Sequence, residues 1–245
     1  MRVPRLYIDM SLTTGEVINL PRDKAHYISH VLRMRTGDAI KLFNNLGDEF
    51  ESKIIEISKK SAQIEIEESR RSNNESPLTI NLCLAVAKGQ HMDFSIQKAV
   101  ELGVKNIIPV ISEFSNVKIQ DSRMQNKLTH WRNIIISATE QCGRSLLTEV
   151  QTPVSFGEWL SIDVSTTRLI LHPTSQQTMP NIKPKLPGNE VTLMIGPEGG
   201  FSDIEVEQAL ANDCQPISLG PRILRTETAV VCAVSNAQQL WGDLN

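Results

Sequence analysis

The 245-residue chain holds four cysteines, Cys83, Cys142, Cys214 and Cys232, and no C-x-x-C spacing. Neither a zinc ribbon nor a dithiol redox motif is available to it. The apolar surroundings of the four read as buried thiols of a reducing compartment. No apolar run approaches the roughly 18 residues that a membrane span requires. Residues 1 to 20 lack the charged start and apolar stretch of a signal peptide, and the expectation is a soluble, cytoplasmic protein without a membrane partner. Internal repeats and low-complexity tracts are also missing. Charge of one sign is scarce. The formal net charge is −3, with 12 Lys+Arg against 11 Asp+Glu in residues 1–72 and 13 against 17 in the remainder. Strong nonspecific attraction to duplex nucleic acid is thereby disfavoured, while an RNA-contacting first segment remains permitted. His26 and His30 stand one helical turn apart, but the H-E-x-x-H glutamate and a third ligand are absent, so no metal is expected.

What is present is globular: 40% hydrophobic and 22% charged residues. The first 70 residues read as short strands at Leu6 to Asp9, Glu16 to Leu20, Ala39 to Asn44, Glu49 to Ile57 and Ala62 to Glu67. One helix, from Asp23 to a Gly37 stop, interrupts them. "SAQIEIEES" alternates cleanly, with Ile64 and Ile66 on one face, and the segment suggests a small β-barrel. "RRSNNESP", residues 70–77, is the best linker candidate. Beyond it strands and helices alternate: strands at Thr79 to Ala87, Asn106 to Ile111, Arg168 to Leu171, Val191 to Ile195 and Ile217 to Leu219, and helices at Met92 to Leu102, Arg123 to Gln141, Asp203 to Leu210 and Glu227 to Leu240. That rhythm specifies an α/β domain with a mainly parallel sheet. The expected division is 1–72 and 73–245.

"MIGPEGGFSDIEVEQ", residues 194–208, is a buried strand broken by a glycine-rich turn and restarted as a helix. Ser202 and Glu205 form an S-x-x-E capping box there. Such turns often cradle phosphate on free backbone N–H groups. This one lacks the P-loop lysine and the dinucleotide G-x-G-x-x-G, and Glu198 would repel a phosphate. Two readings stand: a ligand held by main-chain atoms without phosphate charge, such as an adenosine bearing a sulfonium, or a tight turn whose glycines serve only φ > 0 geometry. A second strand, Gly-Pro break and helix follow in "ISLGPRILRTETAVVCAVSNAQ", residues 217–238. Because ligands of open α/β sheets sit beyond the carboxyl ends of the strands, both turns are candidates to line one pocket. The small residues Ala229, Ala233 and Ala237 of the last helix read as core packing.

"IGPEGGFSDIE" followed by "LGPRILRTETA" resembles the RsmE family of SPOUT methyltransferases. "RVPRLYID", "HVLRMRTGDAI", "KGQHMDFSIQKAVELGVKNIIPV" and "EQCGRS" carry the likeness over nearly the whole chain. The resemblance implies S-adenosylmethionine-dependent methylation of a uridine N3 in bacterial 16S ribosomal RNA of the small subunit. It also implies a PUA-like RNA-binding barrel over 1–72, a SPOUT domain with a C-terminal trefoil knot over 73–245, and a homodimer. Motif positions carry Gly196, Gly200, Leu219, Gly220, Ile223, Leu224 and Thr228 over as cofactor contacts, with Leu171 and His172 at the end of an earlier strand.

The anion formed when N3 loses its proton spreads onto two carbonyl oxygens, and a positioned guanidinium would stabilise it. Arg225 is the first candidate and Arg144 the second; Arg144 beside Gly143 also reads as a cation complementing a helix end, and Arg222 or Arg225 as loop struts. Glu140, Glu198 and Glu227 are possible bases. Arg5, Arg33 and Arg35 are candidate RNA phosphate contacts or plain surface charge. The chain departs from the family pattern at Phe114, where family members commonly carry arginine. A ribose 2′-hydroxyl methyltransferase and a catalytically silent RNA-binding protein are the alternatives.

Overall fold

The computed structural model describes residues 3–58, 60–115, 121–162, 166–182 and 189–244. The chain divides into two compact units, Met1–Glu75 with Thr139–Leu147, and Ser76–Ala138 with Thr148–Asn245.

The first unit contains β1 (Arg5–Tyr7), β2 (Val17–Asn19), α1 (Arg22–His26), β3 (Ala39–Phe43), β4 (Asp48–Ile57) and β5 (Ala62–Arg71). They form a five-stranded sheet in the order β1-β3-β4-β5-β2, antiparallel except where β1 runs parallel to β3. The alternation seen in the sequence places Ile64 and Ile66 inward beside Leu6, Ile40, Leu42 and Ile54. Ala25 and Ile28 of the helical segment complete the same core. The helix is shorter than its periodicity predicts. After α1 the chain widens into one π-helical turn, Tyr27–Val31, and Arg33 takes a left-handed φ of 55°, which ends the helix before Gly37. Of residues 70–77, expected as a linker, the first part is anchored: β5 runs to Arg71, and Asn74 donates to the Gly143 carbonyl at 3.0 Å.

The second unit contains β6 (Thr79–Ala85), α2 (Gly89–Glu101), β7 (Asn106–Ile111), most of α3 (Asp121–Cys142), β8 (Glu149–Val150), β9 (Val154–Ser155), α4 (Phe156–Leu160), β10 (Thr167–Leu171), β11 (Glu190–Ile195), α5 (Asp203–Ala211), β12 (Gln215–Ile217) and α6 (Thr226–Trp241). Its sheet runs β12-β10-β11-β6-β7-β8, with β9 also beside β7, and every described pairing is parallel. Such a sheet is buried on both faces, and its strands are accordingly continuous apolar runs: Leu82, Cys83, Leu84, Leu193 and Met194 are fully buried. Burial pushes the Cys83 thiol well above the ordinary thiol range, and that of Cys214 upward. All four cysteines are free. Among the described residues no helix is long and apolar enough to cross a membrane, and no cluster of metal-ligating side chains occurs.

Candidate active site

Three strands of the second unit deliver their carboxyl ends to one place. β10 lies between β11 and β12, so the two Gly-Pro turns flank a third exit, Leu171-His172-Pro173. The cavity between these exits is about 310 Å³, at the small end of the range for ligand sites. Leu171, His172, Gly196 and Gly200 line it from β10 and β11. Leu219, Gly220, Ile223 and Leu224 line it from the segment after β12.

Local chemistry fixes each wall. The turn after β11 closes through Gly200 N–H donating to the Pro197 carbonyl at 2.9 Å, with Gly200 at φ 74°. A Cβ on Gly196 would stand 2.9 Å from the Gly200 carbonyl carbon, so only glycine permits this approach of backbone to backbone. The helix beyond starts on the capping box read from the sequence. Glu205 N–H donates to Ser202 Oγ at 3.3 Å and Ser202 N–H to Glu205 Oε2 at 2.9 Å. After β12, Gly220 at φ 107° turns the chain, and its N–H donates to Ser218 Oγ at 3.1 Å. The exits of β10 and β12 are laced together: His172 N–H donates to the Ile217 carbonyl at 2.9 Å, Ser175 Oγ to that of Pro216 at 2.7 Å, and Ser218 N–H to that of Gln177 at 2.8 Å.

Thr228, expected at the cofactor, sits exposed on the first turn of α6 and does not line the cavity. Two residues earlier, Thr226 lines it and donates from Oγ1 to the Gly196 carbonyl at 3.2 Å, bridging the two turns. The cause is helical phase: Thr226 and Ala229 share the inward face, and a step of two residues turns a side chain through about 200°. Ala229, read as core, therefore belongs to the cavity wall.

The arginines separate. Arg222 lines the cavity; Arg225 is exposed and occupies the N-cap position of α6, directly before Thr226. Arg144 lies in the first unit, its side chain 5% exposed, where its Nε and Nη2 both donate to Glu75 Oε2 at 3.0 and 2.9 Å. Arg5 is likewise buried. Its Nε donates to Glu49 at 2.6 Å and its other nitrogens to the carbonyls of Thr139 and Arg144, each at 2.9 Å, so it is a strut of the first unit and not an RNA-facing charge. Arg33 and Arg35 are both exposed at the surface. Of the three candidate bases, Glu140 accepts from Tyr7 N–H at 3.0 Å, Glu198 is exposed on the turn after β11, and Glu227 lies on α6 with His91 Nδ1 3.1 Å from Oε1.

The cavity can hold a ligand of defined character. Its lining joins aliphatic side chains and glycine backbone to the charged Glu198 and Arg222, His172 spends Nδ1 on Thr174 Oγ1 at 2.9 Å, and Arg225 lies one residue before the lining Thr226. A neutral heterocycle with a short polar tail fits such walls, whereas a phosphate finds Glu198 on the turn.

Comparison with known proteins agrees with this geometry. The RNA methyltransferase domain family matches residues 74–238 and the RNA methyltransferase PUA domain family residues 20–67. The chain is 41% identical to the Ribosomal RNA small subunit methyltransferase E of Buchnera aphidicola from Schizaphis graminum, over 100% of this chain and 99% of that protein. Among solved structures, a Legionella pneumophila methyltransferase with the cofactor SAM bound is 39% identical, with a TM-score of 0.95 and complete coverage of both chains. The Neisseria gonorrhoeae Ribosomal RNA small subunit methyltransferase E, bound to S-adenosyl methionine, is 36% identical, with a TM-score of 0.93 and the same coverage.

Proposed function

Because the chain belongs to the ribosomal RNA small subunit methyltransferase E family, with a PUA-like first unit and a SPOUT-type knotted second one, we propose that it methylates N3 of a uridine in 16S ribosomal RNA of the small subunit, using S-adenosylmethionine, as a cytoplasmic homodimer. The observation that carries this reading is the cavity walled by the exits of β10, β11 and β12, lined by aliphatic side chains and glycines with one carboxylate, Glu198, and one guanidinium, Arg222.

Residues Leu171, His172, Gly196, Gly200, Leu219, Gly220, Ile223 and Leu224 would hold the cofactor, which supplies a methyl group on a sulfonium. Thr226 ties the two turns into one wall, so the acceptor base meets a fixed rim. As the uracil N3 proton leaves, negative charge grows on its flanking oxygens. Arg225, exposed at the positive end of the 16-residue α6 and free to reach outward, is assigned to stabilise that charge, with Arg222 beside it on the cavity wall. Arg144 is assigned no chemical step, because its guanidinium is already committed to Glu75.

Labelled cofactor and small subunits lacking the modification test the assignment. Label should appear as N3-methyluridine on nucleoside mass spectrometry; label on a ribose 2′-oxygen would replace the reading by that of a 2′-O-methyltransferase, and no cofactor binding by calorimetry would leave a silent RNA-binding protein. Arg225→Ala should lose transfer while binding the cofactor as before, and full activity in that variant would remove Arg225 from the mechanism. Sedimentation of the purified chain tests the dimer.

A further inference from the structure

Phe114 stands outside the cavity and the mechanism just given, yet its position is unusually well defined. It is 45% exposed. The turn that carries it, directly after β7, is held at both ends. Ser115 N–H donates to the Ser112 carbonyl at 3.0 Å, Ser112 N–H donates to Ser115 Oγ at 3.1 Å, and the two hydroxyls pair at 3.0 Å. Glu113 N–H donates to Glu205 Oε1 at 2.8 Å. Glu205 is buried at 7% exposure, and its second oxygen caps α5. One desolvated carboxylate thus locks the turn after β7 to the helix that follows the glycine turn, with charge-assisted hydrogen bonds on both oxygens.

The phenyl group rests on that glycine turn. A Cβ built on Gly199 would come 3.1 Å from Phe114 Cβ and 3.4 Å from its ring, so the aromatic lies in direct contact with the outer side of a residue whose inner side lines the cavity. A single exposed apolar side chain needs no explanation by itself. An exposed ring on an immobilised turn, against the wall of the site, offers a flat face whose ordering cost is met before any ligand arrives.

Resting on the proposed RNA methyltransferase activity, we propose that Phe114 is a stacking platform for an unstacked nucleobase of the RNA substrate. Single-stranded RNA is bound by proteins chiefly through bases splayed onto aromatic rings or guanidinium planes. A phosphate is the wrong partner here, because the described residues of this turn include no cation, while Glu113 lies beside Phe114 and Glu198 beside Gly199. The neutral face of a base meets no such repulsion.

Four proteins decide it: wild type, Phe114→Ala, Phe114→Leu and Phe114→Trp, each assayed for transfer to small subunits and for cofactor affinity. Ala and Leu should raise KM for the subunit by about 5- to 150-fold, with kcat at saturating subunit and cofactor Kd within twofold of wild type. Trp should retain the wild-type KM. Leu matches the apolar bulk without the ring, so a merely structural Phe114 would leave that variant at wild-type KM and overturn the proposal. A KM unchanged in Ala, or a loss of cofactor affinity as large as the rise in KM, would overturn it equally. A wild-type protein that transfers no methyl group refutes instead the reading of function on which this one stands.

Discussion

Gly196→Ala is the perturbation that the cavity geometry resolves most sharply. The added methyl would lie 2.9 Å from the Gly200 carbonyl carbon, 3.1 Å from its Cα and 3.2 Å from Phe201 N. All three are main-chain atoms, so no rotamer change relieves the clash. Gly196 does not adopt a positive φ, hence the cost is steric and not conformational. Overpacking of this kind costs about 1–3 kcal/mol. The variant either keeps the turn closed, lowering Tm by roughly 2–12 °C for a chain of this size, or opens it and moves the wall that Gly196 and Gly200 form. The second outcome weakens cofactor binding, by about 5- to 150-fold if the whole cost falls on the bound state. Gly200→Ala is the internal control: nothing lies within 4 Å of its added methyl, but φ is 74°, so it should cost roughly 1–2 kcal/mol of backbone strain with no intrusion between the two ends of the turn. Calorimetric titration with S-adenosylmethionine and thermal melting of both variants give the test. A Gly196→Ala protein with wild-type Tm and wild-type affinity would show that the close approach of these two glycines does not shape the site.

Removing Arg144 takes the cationic partner from the Glu75 carboxylate and leaves it only the Leu146 N–H at 3.3 Å. Arg144→Met should destabilise the chain by about 3 kcal/mol in denaturant titration, where a purely catalytic arginine would leave stability unchanged. Burial pushes the Glu49 carboxyl upward, but hydrogen bonds and charge from Lys41 and Arg5 outweigh it and hold the group below the ordinary value of 4.5. A carboxyl lowered on folding stabilises above its unfolded pKa and loses that contribution as pH falls through its folded one. The stability gap between wild type and Glu49→Gln should therefore be full at pH 7 and close as the pH falls below about 4.5. Cys142 and Cys232 are half-buried, whereas Cys83 is fully buried with a raised thiol pKa; a thiol reagent should label the first pair in the native protein and reach Cys83 only on unfolding.

Legibility in the sequence followed the range of the interactions. The Ser202–Glu205 capping box and the apolar runs of β6 and β11 depend on neighbours a few residues away, and each stands where its pattern placed it. The same short-range signature, Ser155 with Glu158, opens α4, a helix that periodicity alone did not disclose. β12 is expected at Ile217 to Leu219 but runs through Gln215–Ile217, at the edge of the sheet, where a strand tolerates the proline at position 216. Arg5 and Arg144 were illegible for a different reason. Each is a cation whose carboxylate partner lies 44 or 69 positions away in the chain, and a lone arginine looks the same whether it faces solvent, substrate or a buried acid. Thr226 and Ala229 were hidden by a phase of the final helix that only its packing sets.

The grouping of Thr139–Leu147 with the N-terminal sheet gives the gene an awkward architecture. A fragment cut at Glu75 would leave behind the carbonyls of Thr139 and Arg144 that two nitrogens of Arg5 are bonded to, along with the guanidinium that neutralises Glu75. Such a fragment would keep the Arg5–Glu49 ion pair but lose the other partners of Arg5 and the cation beside Glu75, so the first unit is not a cassette to be transplanted at a single splice; recombination that exchanges it has to exchange the distant stretch Thr139–Leu147 as well.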